Sequence, residues 1–125
     1  MMLDKLFGTR HSGDTAERLA EKYLGEQGLK LVARNYRCRY GEIDLIMQER
    51  DVTVFVEVRL RRTRGEHDFG GAAASIGPRK QARIIAAAQH YLAGMKQLPP
   101  CRFDAVLLNQ LTGSRIEWLR DAFGA

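Results

Sequence analysis

Residues 41 to 59 constrain this chain more than any other stretch. They read Gly41-Glu42-Ile43-Asp44-Leu45-Ile46, a short polar break at Glu49-Arg50-Asp51, then Val52-Thr53-Val54-Phe55-Val56-Glu57-Val58-Arg59. Two apolar, β-branched runs joined by so short a break predict two strands of an antiparallel hairpin. Asp44 and Glu57 each sit among apolar neighbours, and burying an ionised carboxylate is costly unless a cation or hydrogen bonds compensate. Two such acids on neighbouring strands suggest a divalent-metal site at a sheet edge. Arg59, two positions after Glu57, falls on the same strand face. Two acids and one cation on adjacent strands form the skeleton of a metal-dependent phosphodiesterase site.

The pairing decides whether the acids meet. If Glu49 to Val52 form a four-residue loop, Asp44 sits opposite Glu57 and both face one side, whereas a slip of one residue separates them. The sequence leaves both registers open. It also leaves open an exposed strand face on which both acids point to solvent.

Around this hairpin the remaining elements fall into order. Residues 1 to 12 read as a loose leader, with a single domain over residues 13 to 125. Asp14 followed by Glu17 marks a helix start, and Ala16, Leu19, Ala20, Tyr23 and Leu24 recur at helical spacing up to a stop at Gly28. Leu29 to Asn35 reads as a first strand, with Leu31 and Ala33 on one face. Residues 60 to 75 are basic, then rich in Gly and Ala, and read as a mobile loop. Gly77-Pro78 opens a second helix with proline at its first position, and Ile84, Ile85, Ala88, Tyr91 and Leu92 mark its core side. Phe103 to Leu108 reads as a fourth strand and Arg115 to Leu119 as an edge strand, joined by a turn at Asn109 to Ser114. The order α-β-β-β-α-β-β predicts an α/β sandwich with a mixed sheet. A helical crossover makes the fourth strand parallel to the one it leaves.

The chain has 125 residues and a net charge of +5. That length suits one domain with its own core, and the basic balance favours polyanion partners without bearing on fold. Cys38 and Cys101 are too few for a disulfide framework, and with His11, His67 and His90 they do not make zinc spacing. No apolar stretch reaches the ~20 residues of a membrane span, and the first ten residues have no signal core. A cytoplasmic protein is the expectation.

Oxygen ligands at Asp44 and Glu57 suit magnesium or manganese, and the Val58 carbonyl could add one more. Such a metal polarises a phosphoryl oxygen and lowers the pKa of bound water. Arg59 cannot serve as a general base, since a guanidinium stays protonated, but its planar fork can contact a phosphate. Glu17 reads as a capping residue or, more sharply, as a third carboxylate reaching the site from the first helix. Lys80, near the start of the second helix, reads as solvated surface or as the amine that Arg59 does not supply. Gln81 is a weaker candidate of the same kind. Arg34, Arg37 and Arg39, interleaved with Tyr36 and Tyr40, and Arg61, Arg62 and Arg64 bracket the acids along the chain. Arginines near aromatics suit phosphate backbones and exposed bases, though a solvated charged strand would look the same. Asp104 reads as structural, pairing with Arg102 or Arg115, and Tyr23, Tyr91 and Trp118 as core or rim.

Taken together, Ala16-Glu17, Tyr23-Leu24, Arg34-Asn35-Tyr36-Arg37, Gly41 to Ile46, Phe55 to Arg59, Lys80 and Arg102-Phe103-Asp104 resemble the bacterial YraN family. That family is restriction-endonuclease-like and related to archaeal Holliday junction resolvases. The resemblance covers nearly the whole chain from Gly13 onward. It implies a three-layer sandwich around a central mixed sheet and a PD-(D/E)xK nuclease core. Asp44 then takes the place of the metal-binding acid, Glu57 of the second acid and Glu17 of the helix glutamate of resolvase-like members. Arg59 departs from the pattern, standing where the motif usually has lysine.

Three functions follow as alternatives. The first is a magnesium-dependent endonuclease acting on branched or otherwise structured DNA. The second is a nucleic-acid-binding module without turnover, using the same arginines. The third is a scaffold that binds a protein partner through apolar helix faces. Symmetric cutting of a junction would favour a two-fold homodimer, but no dimer surface is legible in the sequence.

Overall fold

A computed structural model describes residues 8–60, 76–109 and 115–124. Helix α1 (Gly8–Glu26) precedes strands β1 (Lys30–Cys38), β2 (Gly41–Glu49) and β3 (Val52–Leu60), and helix α2 (Pro78–Leu92) leads to β4 (Cys101–Leu108) and β5 (Ile116–Phe123). The five strands make one mixed sheet in chain order. The β3–β4 pair is parallel and the other neighbours are antiparallel. The fold is the expected α/β sandwich, consistent with a restriction-endonuclease-like domain.

The two helices cover opposite faces of the sheet because each buries a stripe of small and apolar residues. Ala16, Ala20 and Leu24 of α1 pack with Leu45, Met47, Val54, Val56 and Val106. Ile84, Ala87 and Ala88 of α2 pack with Ile43, Ile46, Phe55, Phe103 and Leu107. A sheet buried on both faces needs near-continuous apolar strands, and β2, β3 and β4 supply them.

Local chemistry sets the ends of the helices. Gly28 takes φ +102°, a conformation open to glycine at little cost. There the Leu29 N–H donates to the Leu24 carbonyl at 3.0 Å and the Gly28 N–H to the Gly25 carbonyl at 3.1 Å, a Schellman closure. Pro78 is the first residue of α2, where its missing N–H costs nothing. The Gln81 side chain donates to the Ile76 carbonyl at 2.7 Å. It ties down the segment before the helix.

Several sequence expectations need correction. Helix α1 begins at Gly8, so Glu17 lies inside the helix and does not cap it. The expected leader falls partly within α1, and residues 1–7 lie outside the described residues. Strand β1 extends to Cys38, and a register shift between Leu31 and Ala33 puts them on opposite faces, Leu31 towards α1 and Ala33 towards α2. Strand β5 runs four residues beyond Leu119. The loop expected over residues 60–75 lies outside the described residues, apart from Leu60 at the end of β3. Most of the turn expected over residues 109–114 lies outside them as well.

Asp104 is fully buried and locks the far end of the sheet. Its carboxylate accepts from Arg102 Nε at 2.9 Å, Trp118 Nε1 at 2.9 Å and the Asp121 N–H at 2.8 Å. Asp121 has φ +54° and lies where the β4–β5 register slips, so the buried carboxylate satisfies an amide that the bulge leaves out of the ladder. Arg102 and Arg120 also hold Glu49, at 2.9 and 2.7 Å. Arg115 does not share the Asp104 cluster described by these bonds.

Candidate active site

Asp44 and Glu57 meet where the sheet divides. The β2–β3 ladder runs from the Glu49–Val52 pair to Leu45–Val56 and ends. The next step in that register places Asp44 across from Glu57, the first of the two registers left open by the sequence. Past this point β2 stays paired with β1 as far as Cys38–Gly41, and β3 stays paired with β4 as far as Leu60–Leu108. The sheet forks, and the two acids stand in the crotch.

Asp44 helps to hold the fork open. Its Oδ2 accepts the Val58 backbone N–H at 2.8 Å, a donor aimed towards β2. Side-chain alternation on β2 breaks here. Ile43 and Ile46 both pack towards α2, while Leu45 and Met47 pack towards α1. Across from Asp44 in the β1–β2 register, between the pairs Arg34–Leu45 and Tyr36–Ile43, Asn35 takes φ +51°. Asparagine tolerates that conformation better than most residues.

Glu57 keeps the alternation of β3 and faces α2. Its Oε2 lies 3.6 Å from Lys80 Nζ and 3.7 Å from Arg59 Nε. The first turn of α2 thus delivers an amine to the second acid. Glu17 arrives from α1 and hydrogen-bonds both Asp44 and Asn35.

The electrostatics are those of a crowded acidic centre. Asp44 is 8% exposed and Glu57 4%. Burial, then the charge of Asp44, pushes Glu57 up to about 8 against the pull of Lys80 and Arg59. Burial and Asp44 likewise push Glu17 up to about 7, opposed by its hydrogen bond with Asn35. Asp44 is raised by burial, opposed chiefly by the Val58 N–H and a hydrogen bond from Glu57. Asp44 interacts with Glu57 on one side and with Glu17 on the other, and all three carboxyls are protonated more readily than in water. Such a site has excess negative charge for the cations it holds.

A divalent cation is the natural complement to that donor set. Among the described residues no three His, Cys, Asp or Glu side chains converge as a ready-made metal cage. Two carboxylates with waters nevertheless match the few protein ligands that magnesium takes. Asp44 and Glu57 could hold the ion, with the Val58 carbonyl nearby in the chain and Glu17 behind Asp44.

The basic residues named from the sequence scatter. Arg34 is committed to Glu21 of α1 through two hydrogen bonds of 2.8 and 2.9 Å. Arg37 pairs with Glu42 at 3.6 Å. Arg39 lies over the Tyr40 ring, 5.4 Å from its centroid. Arg61, Arg62 and Arg64 lie outside the described residues. One run of arginines in the sequence thus serves three separate local partners.

Sequence reasoning missed three residues that shape the site. Asn35 stands in the sequence only as the last residue of the expected first strand and as part of the Arg34–Arg37 motif. Gly41 lets α2 approach, since a Cβ there would stand 2.7 Å from the Arg83 carbonyl oxygen; a glycine opening a strand was the available signal. Arg83 lines a cleft of about 290 Å³ with Glu42, Lys80 and Ile84, and nothing in its spacing distinguished it from surface.

Comparison with known proteins agrees with the sequence motifs. The model of the uncharacterised protein family UPF0102 matches residues 16–108. A UPF0102 protein of Ralstonia nicotianae is 53% identical over 94% of this chain and 89% of its own length. Relatives from Nitrosomonas europaea, 54% identical over 90% of this chain and 93% of their length, and Nitrosococcus oceani, 56% identical over 91% and 92%, carry the same family name. The match runs from within α1 to the end of β4, and this chain is a member of the UPF0102, or YraN, family.

Proposed function

We propose that the protein is a metal-dependent endonuclease that hydrolyses phosphodiester bonds in DNA, with branched, junction-like DNA as its substrate. The observation that carries this reading is the apposition of Asp44 and Glu57 at the sheet fork with the Lys80 amine 3.6 Å from Glu57. A bound magnesium or manganese ion would polarise the scissile phosphate and acidify a water. Asp44 and Glu57 would bind it, and their raised affinity for protons reflects the charge that the ion would neutralise. Lys80 takes the place of an amine on β3, reaching Glu57 from α2. Arg59, beside the same carboxylate at 3.7 Å, is suited to contact the phosphate through its fork. The net charge of +5 favours a polyanion.

The test is cleavage of labelled four-way junction, flap, single-stranded and linear duplex DNA with magnesium, manganese or EDTA, beside Glu57→Gln. Metal-dependent cutting that the variant loses is expected, with the junction cut fastest. Normal cutting by Glu57→Gln would remove the site assignment. Salt-sensitive binding without cutting would make the protein a binding module, with Arg59 marking the lost step. Neither binding nor cutting would favour a protein-partner scaffold.

A further inference from the structure

We propose that the face formed by the β1–β2 turn and the first half of α2 seats an unpaired nucleic-acid strand leading away from the Glu57–Lys80 site. The inference rests on the nucleic-acid reading above and adds the strand state of the substrate. Tyr40 would stack a base, and Arg83 and Lys80 would hold the phosphates between it and Glu57.

The stacking surface is already built. Tyr40 is 48% exposed, which leaves much of its ring open to a partner. It is not loose, because the His90 ring lies against it at 5.7 Å and the Arg39 guanidinium at 5.4 Å. His90 Nδ1 is bound to the Tyr36 hydroxyl at 2.6 Å. Tyr36 stands edge-on to Tyr91, which stands edge-on to Phe55 in the core. An exposed ring tied to the core through two layers of aromatics loses little freedom when a base settles on it. A guanidinium beside that ring adds a second planar group and a positive charge.

The phosphate-holding part adjoins it. Gly41 follows Tyr40 directly, and its lack of a side chain brings the turn hard against the backbone of Arg83. Arg83 and Lys80, one helical turn apart, line the 290 Å³ cleft. The acid in that cleft, Glu42, is paired with Arg37 at 3.6 Å, which blunts its repulsion of a phosphate. Lys80 connects the cleft to Glu57 at 3.6 Å. Cleft, turn and acid form one continuous path. A duplex would offer this path phosphates but no base faces, whereas an unpaired strand offers both.

The test compares binding in EDTA, at one salt concentration, of a blunt duplex and the same duplex with a short single-stranded thymidine tail. Fluorescence anisotropy reads both. Wild-type protein is expected to prefer the tailed DNA. Tyr40→Ala should reduce the tailed-to-blunt affinity ratio about tenfold, the scale of one base–aromatic stack, and Tyr40→Trp should restore it. Arg83→Gln should weaken tailed binding and flatten its salt dependence. An unchanged ratio in Tyr40→Ala, with circular dichroism showing the fold intact, would overturn the inference, as would wild-type protein that binds both DNAs equally or binds neither. Failure of cleavage with a preserved tail preference would instead strike only the nuclease reading.

Discussion

Replacing Glu57 with glutamine should make the metal-free protein more stable, and increasingly so as the pH rises. Glu57 has a folded-state pKa of about 8 against an ordinary value of 4.5. An acid raised in this way binds its proton more tightly folded than unfolded. Its contribution to stability is therefore full below about pH 4.5, falls as the pH climbs towards 8, and is lost above that. The difference corresponds to a ceiling of about 5 kcal/mol, at ~1.4 kcal/mol per pH unit. Glutamine keeps the shape and removes the charge. The Lys80 and Arg59 side chains are 40% and 38% exposed, so solvent screening keeps the loss of a charged partner small. The buried Arg59 Nε offsets part of the gain, and Asp44 loses a repelling neighbour. A gain of about 2 kcal/mol or more at pH 9, or roughly 5–10 °C in melting temperature, is expected. At pH 5 wild-type Glu57 is neutral when folded, and the two proteins should melt within a few degrees of each other. Thermal melts in EDTA at pH 5, 7 and 9 read the effect. A variant that is less stable at pH 9, or whose advantage is the same at pH 5 and pH 9, would refute the picture of an under-compensated acidic centre.

Magnesium should raise the melting temperature of the wild type at pH 9, and Asp44→Asn should remove most of that shift, measurable by the same melts with titrated metal. Asp104→Ala should cost about 2–4 kcal/mol, because it leaves the Trp118 and Asp121 donors unpaired and removes one of the two acids that hold the half-buried Arg102. Urea unfolding followed through Trp118, the single tryptophan, would show it. Gly41→Ala should cost about 1–3 kcal/mol as α2 is pushed from the Arg83 contact, and should lower cleavage by moving Lys80 away from Glu57.

The sheet and its order were legible because the strand pattern was strong. Apolar runs in β2, β3 and β4, the break at Glu49-Arg50-Asp51 and the Gly77-Pro78 start of α2 all carry local signals. Asp44 and Glu57 stood out for the same reason, as acids among apolar neighbours. What sequence could not show was tertiary. Lys80 reaches Glu57 only because α2 crosses the sheet at Gly41. Arg34 looks like one more phosphate-seeking arginine until Glu21 is seen beside it. The end of β5 was hidden because Arg120 and Asp121 look like a terminating turn, while the buried Asp104 that satisfies the Asp121 amide lies 17 residues earlier in the chain. Leu31 and Ala33 were placed on one face by an alternation that the bulge between them breaks.

The fork in the sheet divides labour between strands and helices. The acidic pair belongs to two central strands, each anchored to a different neighbour, while the amine at Lys80 and the aromatic and basic path around Tyr40 belong to a helix and a turn. The spacing of the acids is thus governed by the splay of the strands, and what approaches them by parts of the chain that can vary without disturbing that spacing. If the proposed strand path holds, a substitution on the outer face of α2 alters which strand is admitted and leaves the acid pair intact, whereas a change that lets β2 and β3 close beyond Leu45 and Val56 would erase the centre while leaving both carboxylates in the chain.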